Sequence, residues 1–298
     1  MRVVITGANG LLGQNLTAAG LSAGHEVVGM DLQPVPFRRD DGLRYLSRDL
    51  TTANAFQDLL HEAEPEWVIH TAAFTNVDGA EKQESLCRRI NHGIVEELVD
   101  ACKATGTRLL HVSTDYVFDG TAGPYRETDP IRPLGVYASS KAAGEEAVTA
   151  ADLDWVVVRP NVLYGHGIEL KSSFVHWLIG ELRQGNSVRI VNDQFNNPTY
   201  ARRMADFCFR LIQEKALGIW HFGCREVISR YDFALQIAAV FELPSGLIQA
   251  VDTASLGQAA PRPMKSGLIC EKAANKLKFP ILAAREELSY LKEEMNGA

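Results

Sequence analysis

The chain has 298 residues, 46% of them hydrophobic, which is ample for a buried core in one large or two modest domains. Thirty-seven acidic against thirty basic side chains leave a formal charge of −7, and no Lys/Arg run is long enough to track a phosphate backbone, so nucleic acid is not an expected partner. The five cysteines are scattered without a Cys-x-x-Cys pair, and no His pair has helical ligand spacing; reduced thiols and no metal centre are expected. The first apolar run starts at Val3 and meets Gly7, too short for a signal peptide, and no later stretch is long enough to span a bilayer. These features predict a soluble cytoplasmic protein without membrane contact.

In chain order, short β-branched runs at residues 3–6, 26–30, 67–72, 109–113 and 155–159 each precede a segment of helical length. That alternation predicts a parallel α/β sheet whose strands are apolar throughout because helices cover both faces. After Pro160 the regularity loosens into short candidate strands at 188–191, 218–222 and 248–251, separated by helices and Pro- or Gly-bearing loops. Residues 1–160 are therefore expected to form one domain, also receiving segments near 200–222, with 161–298 forming mainly a smaller, partly interleaved α/β domain. Ligands of such sheets lie beyond the carboxyl ends of the strands.

The first strand runs straight into Gly7-Ala8-Asn9-Gly10-Leu11-Leu12-Gly13, and residues 16–21 continue as a helix. Glycines at this spacing let backbone N–H groups approach a dinucleotide pyrophosphate, and the helix N-terminus favours the anion. The second strand ends in Asp31, about twenty residues downstream, where a ribose-binding acid belongs in a Rossmann-type doubly wound sheet. A carboxylate there favours NADH, while Arg38 and Arg39 nearby are either solvated loop charge or the means of admitting NADPH. Asp49 and Leu50 sit where an adenine edge would lie. Thr71, Ala72, Ala73 and Thr75 follow the 67–72 run, where small residues suit either the approach of the cofactor backbone or the packing of a helix.

Tyr137-Ala138-Ser139-Ser140-Lys141 is the one Tyr-x-x-x-Lys in the chain. It opens a helix, expected to be amphipathic, after the Pro133-Leu134-Gly135 turn. Spacing of i, i+4 puts phenol and ammonium on one face, and a nearby cation is expected to lower the phenol's pKa from about 10 toward the working range of a proton donor. A third hydroxyl belongs after the 109–113 strand, where Ser113 and Thr114 stand. Those two also suit a polar strand end capping the next turn.

With these motifs in this order, the chain resembles the extended short-chain dehydrogenase/reductases, and among them the dTDP-4-dehydrorhamnose reductase family. The resemblance runs through Ala72-Ala73-Phe74-Thr75-Asn76-Val77-Asp78, the block from Ser113 through Gly120, Glu127-Thr128-Asp129-Pro130, the stretch from Val191 to Thr199, and Arg262-Pro263 before Ser266. It implies a catalytic set of Thr114, Tyr137 and Lys141. It further implies that Asp115, Tyr116 and Asn161 line the sugar and nicotinamide pocket. Gln194, Asn196 and Arg262 fall in substrate-domain blocks, where either contact with a nucleotide diphosphate or loop structure accounts for them. Two positions depart from the family pattern: Arg159-Pro160-Asn161 replaces a tryptophan-bearing segment, and Ala138 replaces the glycine after the tyrosine.

The implied activity is NADH- or NADPH-dependent reduction of the C4 keto group of a nucleotide-activated 6-deoxy sugar, dTDP-4-dehydro-L-rhamnose to dTDP-L-rhamnose. Related dehydratases carry Glu directly after Thr-Asp, and here that slot is Tyr116. Two rivals stand beside the reductase: an epimerase that retains its NAD, and a non-catalytic regulatory subunit resembling the β subunit of methionine adenosyltransferase. A homodimer is an allowed assembly.

Overall fold

The structure, a computed structural model, describes residues 1–170 and 173–297. Strands β1 (Arg2–Thr6), β2 (Glu26–Asp31), β3 (Arg44–Ser47), β4 (Trp67–His70), β5 (Arg108–Val112) and β6 (Trp155–Pro160) alternate with helices α1 (Leu11–Ser22), α2 (Ala55–Ala63), α3 (Val77–Ala80), α4 (Glu84–Arg88), α5 (Ile94–Thr105) and α6 (Gly135–Thr149). Short strands β7 (Leu163–Tyr164), β8 (Val188–Val191), β9 (Phe195–Asn196) and β10 (Thr199–Tyr200) follow, with α7 (Phe174–Arg183) after β7 and α8 (Ala201–Gln213) after β10. Strands β11 (Gly218–Phe222), β12 (Ile228–Ser229) and β13 (Ile248–Val251) and helices α9 (Arg230–Val240), α10 (Glu271–Leu277) and α11 (Ala284–Gly297) complete the chain.

Seven strands form one parallel sheet in the order β11, β6, β5, β4, β1, β2, β3. The order reverses between β1 and β4, which is where a doubly wound sheet opens its ligand crevice. Strand residues alternate between two cores. Val3 and Ile5 face one with Leu16, Ile69 and Phe207, while Val4 faces the other with Val28, Phe56 and Leu98. Each strand therefore has to be apolar throughout, which explains the continuous runs.

The last strand of this sheet, β11, arrives from far along the chain and pairs with β6, while α8 packs on α1 through Met204, Phe207 and Cys208. The other short strands make three two-stranded sheets, and α7, α9 and α11 share a separate core around Tyr164, Leu178, Phe233 and Leu288. The 67–72 run stops pairing at His70, because Thr71 and Ala72 turn to pack beneath the glycine turn. All five cysteines are free and buried. Among the described residues no helix is long and apolar enough to cross a membrane, and no cluster of three or more His, Cys, Asp or Glu could hold a metal ion.

Candidate active site

At the crevice, β1 delivers its chain into a turn that only glycines fit. Gly7 has φ +70°, and a Cβ there would meet the Thr71 hydroxyl and the Ala72 nitrogen, each at 2.9 Å. A Cβ on Gly13 would lie 2.1 Å from the Gly7 carbonyl oxygen, and one on Gly10, though that residue is exposed, would come within 3.2 Å of the same atom. The turn is closed by the Gly10 N–H donating to the Gly7 carbonyl at 2.9 Å. Helix α1 starts at Leu11 with no side-chain cap, so its first N–H groups are left for an anion. This cradle fits a dinucleotide pyrophosphate: a backbone wall, bare glycine, and the positive end of a helix.

Asp31 ends β2 beside that turn. Its carboxylate accepts the Asn9 N–H at 2.9 Å and the Leu32 N–H at 2.7 Å, so it fastens the turn. Asn9 is buried and pins the following loop, donating to the Val35 carbonyl and the Tyr45 hydroxyl and accepting the Phe37 N–H. Arg38 is paired with Asp40 at 2.7 Å, while Arg39 is exposed. Leu12 and Leu50 are buried, Leu11 is half-buried, and Asp49 spends its carboxylate on the N–H and hydroxyl of Thr51. Thr71 donates its hydroxyl to the Thr6 carbonyl at 2.7 Å, Ala72 and Ala73 are part-buried, and Thr75 is exposed.

The reacting end is built by β5 and α6. Thr114 caps a one-turn 3-10 helix: its hydroxyl accepts the Tyr116 N–H at 3.2 Å and donates to Asp115 Oδ1 at 3.1 Å. Tyr116 and Tyr137 meet edge to face with ring centroids 5.7 Å apart. Lys141 is 2% exposed; its ammonium donates to the Val112 carbonyl at 2.7 Å and lies 3.5 Å from His111 Nε2. Burial pulls its pKa down to about 8, against the raising fields of Glu145 and Cys87. The expectation that Lys141 lowers the Tyr137 phenol is corrected here. Burial pushes that phenol up, the neighbouring Thr114 hydroxyl pulls it back, and Asp115, Tyr116 and Cys87 add to the rise. The ammonium is directed at the Val112 carbonyl, so its charge does not dominate at the phenol.

Helix α6 is also less amphipathic than its sequence suggests. Its buried residues are Ala138, Ser140, Lys141, Ala142, Gly144, Glu145 and Val148, small or polar because the neighbouring chain comes close. A Cβ on Gly144 would lie 2.2 Å from the Asn91 carbonyl oxygen. Asn91 sits in a π-helical turn, Arg89–Gly93, and ties Phe74 N–H and carbonyl, at 2.8 and 3.0 Å, to Ser140 Oγ at 3.1 Å. Glu145 accepts from Ser113 Oγ at 2.7 Å and from Arg159, which also contacts His221. Through these bonds α6 is locked to the ends of β5 and β6. Neither Asn91 nor Glu145 carries a sequence signal of its own.

The substrate-side residues divide. Asp115 is 3% exposed, its Oδ1 accepts the Thr114 hydroxyl, and burial lifts its pKa to about 6 against hydrogen bonding from Ser266 and Thr114. Asn161 donates to the Ser266 carbonyl at 2.9 Å and leaves Oδ1 without a partner. Unsatisfied buried acceptors of this kind call for donors such as hydroxyl groups. Arg262 pairs with Asp78 at 2.9 Å and donates to the Ala260 carbonyl. Gln194 turns its amide to Thr253 and Gln258, and Asn196 is buried in β9. Arg230, which the motifs do not mark, stands at the start of α9, near enough to Asp115, Tyr116 and Arg262 for their charges to act on it.

Residues 1–296 match the family described as RmlD substrate binding domain. The chain belongs to that family. Similar proteins carry different names. The dTDP-4-dehydrorhamnose reductase of Mycobacterium tuberculosis is 35% identical over 277 residues, covering 90% of this chain and 84% of that protein. The methionine adenosyltransferase 2 subunit beta of Rattus norvegicus is 32% identical over 278 residues, covering 91% of this chain and 81% of that protein. Among solved structures, the dTDP-4-dehydrorhamnose reductase of Bacillus anthracis in complex with NADP superposes with a TM-score of 0.89 at 28% identity, over 98% of this chain and 99% of that one.

Proposed function

We propose that this chain is an NADPH- or NADH-dependent oxidoreductase that reduces the C4 keto group of a nucleotide-activated 6-deoxy sugar, dTDP-4-dehydro-L-rhamnose to dTDP-L-rhamnose. The observation that supports the reading is the Thr114 hydroxyl beside the Tyr137 phenol, with Lys141 one turn further along the same helix, in a chain whose glycine turn fits a dinucleotide. Residues 1–160 with 200–222 hold the cofactor in this reading, and the remainder of 161–298 receives the sugar nucleotide.

Gly7, Asn9, Gly10, Leu11, Leu12 and Gly13 bind the pyrophosphate, Asp31 the adenosine ribose, Asp49 and Leu50 the adenine edge, and Thr71, Ala72, Ala73 and Thr75 the path toward the nicotinamide. A reduced nicotinamide, when bound, supplies the hydride. The Thr114 hydroxyl, now donating to Asp115, turns to the substrate carbonyl and stabilises the oxygen as negative charge grows. Tyr137 Oη gives its proton to that oxygen. Burial favours the protonated phenol, the form an acid needs before the reaction. Lys141 holds the nicotinamide ribose and steadies the phenolate left behind. Asp115, Tyr116 and Asn161 receive the sugar, and Gln194, Asn196 and Arg262 the nucleotide end.

The test is to supply dTDP-4-dehydro-L-rhamnose and a panel of other nucleotide-linked keto sugars with NADPH or NADH, follow loss of the reduced cofactor's absorbance and identify the product. Formation of dTDP-L-rhamnose is expected; turnover of a different nucleotide sugar keeps the reductase and overturns the sugar. A second reading, a regulatory subunit, is favoured by the similarity to methionine adenosyltransferase 2 subunit beta. Cofactor binding without turnover of any keto sugar, together with co-purification with a synthetase, would select it.

A further inference from the structure

Two arginines of this chain, Arg159 buried and Arg230 half-buried, are met in opposite ways. Arg159 is enclosed by an acid, Glu145, by His221 and by the ring of Phe118, with its guanidinium 5.1 Å from the ring centroid. Arg230 is not. Its guanidinium lies over the Phe174 ring at 5.2 Å, and it makes no side-chain hydrogen bond or ion pair with any described residue. Its backbone is fixed, since the Arg230 N–H donates to the Gln194 carbonyl at 3.0 Å and the preceding Ser229 pairs with Phe195. The side chain reaches from the start of α9 to the Phe174 ring of α7 with its fork of donors unpartnered among the described residues.

The charged and titratable groups near enough to act on it electrostatically are Tyr116, Asp115 and Arg262. Arg262 is already neutralised by Asp78, while Asp115, its pKa lifted by burial to about 6, is still mostly ionised near neutral pH. Asp115 acts on Arg230 only at a distance, since the two form no contact ion pair among the described residues. A half-buried guanidinium without a contact partner keeps its fork of donors available, and a bidentate oxyanion is its natural complement. The unpartnered Asn161 Oδ1, 1% exposed, beside the Ser266 that Asp115 also meets, points to a polar ligand. Because Asp115 and Tyr116 follow directly on Thr114, the part of the ligand beside Arg230 lies next to the reacting sugar.

We infer that Arg230 is a specificity-determining residue that grips the phosphate of the nucleotide sugar nearest the sugar ring, a contact beyond the residues the motifs mark. The inference rests on the nucleotide-sugar reading above, and its test separates the two.

Thymidine, dTMP and dTDP are titrated calorimetrically onto the NADPH-loaded wild type, Arg230→Gln and Arg230→Lys, and KM and kcat are measured with the keto sugar. For Arg230→Gln, dTDP is expected to bind roughly 10- to 100-fold more weakly, with thymidine and dTMP changed by less than about threefold. KM should rise while kcat stays within a few-fold. Arg230→Lys keeps the charge without the fork and should fall between. NADPH affinity and the melting temperature report whether each variant folds; if Arg230→Gln does not, Arg230→Lys decides, and wild-type affinity for dTDP in it overturns the inference. Unchanged dTDP binding by a folded Arg230→Gln, or an equal loss for thymidine, overturns it as well. If the wild type turns over keto sugars and Arg230→Gln matches it in KM, the inference alone fails; if the wild type neither binds dTDP nor turns over any keto sugar, the nucleotide-sugar reading fails too.

Discussion

A Cβ at position 13 would stand 2.1 Å from the Gly7 carbonyl oxygen and 2.7 Å from the Ala8 Cα. Both are backbone atoms that cannot swing away, so the first turn of α1 and the loop before it share one shape. Gly13→Ala is expected to destabilise the protein by about 1–3 kcal/mol and to abolish tight NADPH binding. Gly246→Ala, where a Cβ would meet nothing within 4 Å, should leave both unchanged. Thermal melting with a cofactor fluorescence titration checks the pair, and a Gly13→Ala protein that binds NADPH normally would refute the assignment of the turn.

Tyr137→Phe removes the proton donor while keeping the ring that meets Tyr116 edge to face at 5.7 Å. A loss of about a hundred- to ten-thousand-fold in kcat is expected, with NADPH affinity retained, because binding depends on the glycine turn and Lys141. Near-normal turnover would remove the tyrosine as the acid.

Asp31→Ala acts twice. It removes the acid that repels a 2′-phosphate, and it leaves the Asn9 N–H without its 2.9 Å acceptor. Both cofactors should bind more weakly, while the kcat/KM ratio of NADPH to NADH rises roughly tenfold, about 1.4 kcal/mol. An unchanged ratio would shift attention to Arg39, since Arg38 is held by Asp40.

Glu287 on α11 is 1% exposed and shares a 3.3 Å hydrogen bond with the Tyr164 hydroxyl; burial pushes its pKa up to about 8 from 4.5. A raised folded-state pKa means that the native state holds a proton the unfolded chain has released. Its stabilising contribution is full below about pH 4.5 and is lost as pH rises toward 8. Glu287→Gln should flatten that loss, with the melting-temperature gap between variant and wild type moving in the variant's favour from pH 5 to pH 8. A gap independent of pH would show that Glu287 does not titrate in this window.

Periodicity and glycine spacing by themselves determined the parallel sheet, the β1 turn and the order of Thr114, Tyr137 and Lys141 along the chain, because each depends on a few adjacent residues and on local backbone geometry. The alternation of Val3, Val4 and Ile5 between two cores follows from the two-residue repeat of a strand and is written in the sequence. Tertiary structure alone decided the rest. It ended β4 at His70, directed Lys141 to the Val112 carbonyl instead of the phenol, and set Asn91 in a π-helical turn against Gly144. It also left Arg230 unpaired among the described residues while pairing Arg262 with Asp78, residues 184 apart in the chain. Whether a charge meets a partner, and how far a titration is displaced, depends on desolvation and on neighbours from distant segments, and no local pattern encodes either.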